Sequence, residues 1–166
     1  MIMRRIQVLC SGFALLAITT AARAEVQVIF TNPESYVDAA LHRDRGPKGR
    51  EVALKTIQEQ LIRLGEQYLA SNQTLKIEVL NVDLAGELEW WHGPYDIRYL
   101  RDYTWPTIRL RYTLEQDGQT VRTNEETVSD MSYQMNIIAT SRSGEIMPHE
   151  KLMLARWFRS RFAAAD

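Results

Sequence analysis

The chain of 166 residues contains one cysteine, Cys10, and so cannot form an internal disulfide. Histidine is almost as scarce. His42, His92 and His149 stand far apart, and no His-x-x-x-His pair occurs. Metal sites usually show as closely spaced donors on one element, so neither a metal nor a cofactor is expected. The chain also lacks Gly-x-Ser-x-Gly, Ser-x-x-Lys and a phosphate-cradling glycine loop, which removes the usual signatures of nucleophilic hydrolysis and nucleotide binding. No uninterrupted Lys/Arg block is present, and the formal charge is −1. Such a chain grips nucleic acid poorly, and nucleic acid is not an expected partner.

The one long apolar stretch lies at the start. Arg4 and Arg5 precede an apolar run from Ile6 to Ala17, which ends in Ala22-Arg23-Ala24. A basic start, an apolar middle and an Ala-x-Ala exit are the layout of a secretory signal, so residues 1–24 read as a signal peptide cleaved after Ala24. The run is short and interrupted compared with the about 20 apolar residues that span a bilayer. Leu9 precedes Cys10 and apolar residues follow it, unlike a lipoprotein cysteine, so Cys10 leaves with the signal. Residues 25–166 then form one domain with no transmembrane segment and no thiol. That domain carries 17 basic against 21 acidic side chains, a formal charge of −4.

Within the domain, Val26, Val28 and Phe30 alternate and predict a strand over 25–30. The segment from His42 to Gly49, with Gly46 and Gly49 around Pro47, reads as an exposed loop. From Glu51 to Ala70 the spacing changes to 3, 4, 3 and 4 across Leu54, Ile57, Leu61, Leu64 and Tyr68, which predicts a helix lying flat on a sheet. Leu75, Ile77 and Val79 alternate, after which Leu80, Val82 and Leu84 take the other phase, so this strand has a bulge or is buried on both faces. Thr107 to Glu115 alternates cleanly, and the Asp117-Gly118 turn returns it through 120–126 as a hairpin.

Residues 127–140 read as a strand through the alternation of Met131, Tyr133, Met135 and Ile137, although Asp130 is equally able to cap a short helix. Pro148 opens a closing helix whose apolar members are Leu152, Leu154, Ala155, Trp157, Phe158 and Phe162. Arg156, Arg159 and Arg161 sit in its last turns, where cations complement the helix dipole. The resulting fold class is α+β: a single domain with a mainly antiparallel sheet and two helices packed on one face.

Two sets of residues can carry function. Asp83 leads the carboxylates Glu87, Glu89, Asp96 and Asp102, because it shares strand parity with Leu75, Ile77 and Val79. Burial there would raise its pKa, and paired carboxylates about 5–10 Å apart serve glycoside hydrolysis. Against that, Asp83 is equally able to cap the next turn, so no residue is assigned as catalytic. The segment 87–106 is the second set, a connection of about 20 residues, which is long for a compact domain. Trp90, Trp91, Tyr95 and Trp105 offer aromatic faces, while Arg98 and Arg101 can hold an anionic group. The competing reading is that Trp90, Tyr99 and Trp105 plug the open end of the core. The first reading makes the chain a non-enzymatic binding module for an envelope protein or small ligand. The alternative is a carboxylate-dependent hydrolase acting on envelope glycan.

Several strings carry a resemblance. They are Val26-Gln27-Val28-Ile29-Phe30 with Pro33-Glu34-Ser35-Tyr36-Val37-Asp38, Asn81-Val82-Asp83-Leu84-Ala85-Gly86, Asp96-Ile97-Arg98, Arg109-Leu110-Arg111-Tyr112, Asp130-Met131-Ser132-Tyr133, and the run from Glu150 to Phe158. In this order the chain resembles an uncharacterised family of exported proteobacterial proteins, catalogued as domain of unknown function 3016. The resemblance implies export from a Gram-negative cell to the periplasm and a single domain without a known cofactor. It supplies no activity and no site residues.

Overall fold

A computed structural model describes residues 24–42, 46–89, 97–141 and 144–163. Strand β1 (Glu25–Phe30) leads through helix α1 (Gly46–Tyr68) into β2 (Gln73–Asp83), which lies parallel to β1. Two short strands follow, β3 (Glu87–Leu88) and β4 (Arg98–Tyr99), paired as a separate ribbon. Then come β5 (Thr107–Gln116) and β6 (Gln119–Ser129), a short α2 (Ile137–Ser141) and α3 (Pro148–Phe162). Among the described residues the main sheet has the order β1-β2-β5-β6, antiparallel except for β1 with β2. This is the expected α+β domain.

Alternation decides which face of the sheet is covered. Leu75, Ile77 and Val79 on β2 and Ile108, Leu110 and Tyr112 on β5 are fully buried. Ile57, Leu61 and Leu64 of α1, with Met153, Leu154, Trp157 and Phe158 of α3, pack on that face. Each such side chain contributes about 1.5–3 kcal/mol on leaving water. The opposite face is a ladder of charges: Lys76 meets Glu115 at 2.6 Å, and Arg111 bridges Glu78 at 2.9 Å and Glu125 at 2.8 Å. These exposed pairs contribute little individually, but they keep that face wet.

The phase change in β2 is a bulge, since the register with β5 shifts between Val79 and Asn81. Val82 therefore turns inward opposite Ile108. Asp83, one position on, consequently does not share the face of Leu75, Ile77 and Val79, which corrects the parity expected for it. The Asp117-Gly118 hairpin forms as the sequence predicts, with both residues at positive φ (52° and 76°).

Two expectations fail. Helix α1 starts at Gly46, inside the segment expected to be a loop, and stops at Tyr68 rather than Ala70. Pro47 suits a first helical turn, where its missing N–H is no loss. Gly49 is buried there because the chain at His42 passes too close for a side chain; an added Cβ would lie 3.1 Å from the His42 carbonyl. Residues 127–140 are a strand only to Ser129. Beyond it Asp130 accepts the Ser132 N–H at 3.1 Å, a 3-10 turn covers Tyr133–Met135, and α2 follows. The buried members are Tyr133, Asn136 and Ala139, three apart, while Met131, Met135 and Ile137 are 64%, 83% and 81% exposed. The helical period won because Tyr133, Asn136 and Ala139 pack inward, while of the alternating residues only Tyr133 leaves water.

The closing helix is tied to the sheet at Glu126. Its carboxylate accepts Trp157 Nε1 at 3.0 Å, Arg161 Nε at 3.0 Å and the Tyr112 hydroxyl at 3.2 Å. Burial opposes its charge, but the hydrogen bonds from Trp157 and Arg161 outweigh that and hold its pKa below the ordinary carboxylate value.

Helix α1 approaches β1 closely at Gly65, where an added Cβ would run into Val26 Cγ2. Gly65→Ala is therefore expected to lower stability by about 1–3 kcal/mol through overpacking, despite the higher helix propensity of alanine. Adding Val26→Ala should recover part of the loss, read as Tm by circular dichroism; a single variant as stable as the parent would contradict the close packing.

Candidate ligand groove and its polar scaffold

At the end of the sheet where β1 and β2 finish, the chain must leave regular pairing without stranding its carbonyls. Residues 36–40 run alongside the end of β2. The Tyr36 hydroxyl donates to Val79 O at 2.7 Å, and burial pushes its pKa up to about 12. Asp38 then forms a parallel bridge beside Asp83, donating its N–H to Val82 O at 3.1 Å and accepting from Leu84 N at 2.9 Å.

Arg98 closes this corner. Its Nε donates to Ala85 O at 2.9 Å, its Nη1 to Ala40 O at 2.8 Å, and its Nη2 to Asp38 Oδ2 at 2.7 Å, to Leu84 O at 3.2 Å and to Gly86 O. Gly86 has φ 75°, and a Cβ there would lie 2.7 Å from Tyr99 O, so only glycine fits. Arg98, expected to hold an anionic ligand, thus directs its donors at the protein itself.

Arg101 grips Glu89, with Nη2 at 3.0 and 3.1 Å from the two carboxylate oxygens. The Glu89 side chain is 3% exposed. The Tyr133 hydroxyl donates to Arg101 O at 2.7 Å, and the ring of His149 meets Tyr133 edge-on at 5.0 Å. Glu150, also buried, accepts Ala85 N at 2.8 Å. Tyr133, His149 and Glu150 were missed as scaffold residues, and the only hint was the acid in the first turn after Pro148.

Asp83 has its pKa raised, first by burial and then by the neighbouring charge of Asp38, with Arg98 pulling the other way. The nearest carboxylate on this ladder, Asp38, is engaged by Arg98.

Beside the corner lies an open groove of about 1540 Å³. Its apolar wall comprises Leu41, Val52, Ile97, Ile146 and Met147, and His42, Lys48 and Glu145 stand among them. Ile97 and Arg98, from the segment expected to carry recognition, form part of the lining, whereas Asp83 does not. Trp105 is half-buried. Trp90, Trp91 and Tyr95 lie outside the described residues. Among the described residues no group of three or more His, Cys, Asp or Glu could hold a metal ion, and no helix is long and apolar enough to cross a membrane.

Fold and site define an α+β domain with a polar, densely hydrogen-bonded corner next to an apolar groove. The chain belongs to the family described as "Protein of unknown function (DUF3016)", whose model matches residues 24–160. No curated protein and no solved structure matches it.

The raised pKa of Asp83 has a definite sign. At neutral pH its charge opposes folding, and protonation relieves that as pH falls through the raised value toward 3.8. Asp83→Asn should therefore raise Tm at pH 7, with the gain vanishing below pH 3.8 in thermal melts. A lower Tm at pH 7 would mean that the carboxylate has a stabilising partner.

Proposed function

We propose that this chain is an exported, non-enzymatic binding module of the Gram-negative envelope, with the groove beside Arg98 as its recognition site. The groove carries the reading. Three of its apolar residues, Val52, Ile97 and Ile146, are 44%, 53% and 50% exposed on one concave wall, and contiguous exposed apolar surface marks interaction sites. The same end of the sheet also presents Leu100, Tyr103, Met131, Met135 and Ile138 to solvent. The hydrogen bonds that Arg98 makes across the corner support it further, because a rigid scaffold keeps a groove preformed.

A glycan hydrolase would need two carboxylates facing one cleft. Asp38 is engaged by Arg98 and Asp83 is not part of the groove lining, so nothing favours that alternative.

The groove is tested with the neutral apolar dye N-phenylnaphthylamine. Saturable fluorescence enhancement is expected, and it should be lost in Val52→Asp/Ile146→Asp with an unchanged circular dichroism spectrum. No enhancement, or an enhancement indifferent to both substitutions, would sink the reading. Export is tested by fractionation: a chain beginning at Glu25 is expected in the periplasm, and the full-length chain in the cytosol would contradict it.

A further inference from the structure

We infer that the groove takes a single-chain amphiphile with an anionic head, of the fatty-acid class; this rests on the groove being a binding site. The apolar wall formed by Leu41, Val52, Ile97, Ile146 and Met147 suits a hydrocarbon tail. At about 1540 Å³ the groove is roomier than the roughly 300–1000 Å³ of compact ligand pockets, and it is partly open to solvent. An extended, flexible chain fills such a space better than a rigid ring system.

The charges select the head. Glu145 is the one acid among the described lining residues, and Lys151 lies 3.0 Å from its carboxylate. Arg98 is engaged by Asp38 and by backbone carbonyls. Lys48 is exposed in the groove and has no hydrogen-bond or ion-pair partner among the described residues, and His42 stands on the same wall. Among the described lining residues the charge left without a counterpart is therefore positive. Attraction of an anion to an exposed lysine is modest and salt-screened, whereas the tail supplies most of the affinity, about fourfold per buried methylene. A carboxylate head on an apolar chain satisfies both features, whereas a neutral or cationic head leaves Lys48 unmatched or repelled.

The test is displacement of N-phenylnaphthylamine from the full domain at low ionic strength, with ligands kept below micelle-forming concentrations. Dodecanoate is expected to displace the dye at severalfold lower concentration than dodecanol, and at still lower concentration than dodecyltrimethylammonium. Decanoate, two methylenes shorter, should be roughly fifteenfold weaker than dodecanoate. Lys48→Glu should abolish the preference for the carboxylate, and an unchanged circular dichroism spectrum shows that the variant is folded. Equal displacement by all three head groups would overturn the inference, as would a carboxylate preference that survives Lys48→Glu. If the dye binds but dodecanoate cannot displace it, the groove stands as a binding site and its assignment to anionic amphiphiles falls. If the dye does not bind, both fall. Co-flotation with anionic vesicles without displacement by dodecanoate would assign the surface to membranes and likewise overturn the inference.

Discussion

One guanidinium holds the functional end of this protein together. Five oxygens from residues 38–40 and 84–86 converge on Arg98, four of them backbone carbonyls that have left regular pairing. A buried carbonyl without a donor costs about 1–3 kcal/mol, so a single planar, permanently charged side chain with five donors offsets several such costs at once. Lysine, a point charge on a flexible stem, could not reach this set. Breaking a fully buried pair by removing one partner costs about 3–5 kcal/mol, and somewhat less applies here because the Asp38 side chain is 25% exposed.

The rest of the corner follows from that constraint. Gly86 must be glycine so that the chain can fold back against Tyr99. Glu150 reaches from the first turn of α3 to Ala85 N, which ties the closing helix to the same stretch of chain that Arg98 holds. Tyr133 connects the 3-10 turn after β6 to Arg101, whose guanidinium is itself held by Glu89. Most of these polar groups pair with one another, His149 Nδ1 being buried without a hydrogen-bond partner among the described residues, and the neighbouring surface is left to apolar side chains. The groove therefore stands beside the charged corner and is lined mainly by aliphatic groups.

Much of the fold was legible in the order of residues. The spacing of Ile57, Leu61 and Leu64 marked α1, the alternation from Ile108 to Leu114 marked β5, and the switch at Leu80 marked the bulge. Each is a local periodicity that burial enforces directly. The start of α1 at Gly46 was not legible, because glycine and proline there read equally well as loop punctuation and as a first turn packed against His42. The segment after Ser129 was not legible because Met131, Met135 and Ile137 alternate with Tyr133 although those three face solvent. Of the candidate site, the segment containing Arg98 and Arg101 stood out by composition, but the partners of these arginines did not.

By itself the sequence determined the class of fold, the sheet hairpin, the two packing helices and the absence of cysteine chemistry beyond Cys10. These depend on periodicity and composition, which act over a few neighbouring residues. Only the tertiary structure decided that Arg98 serves backbone carbonyls rather than an open site, that Asp83 turns away from the face of Leu75, Ile77 and Val79, and that Leu41, Val52, Ile97, Ile146 and Met147 share one wall. Those outcomes depend on which distant segments meet, and the number and direction of hydrogen bonds that a side chain makes is set by partners up to 60 positions away, as with Arg98 and Asp38.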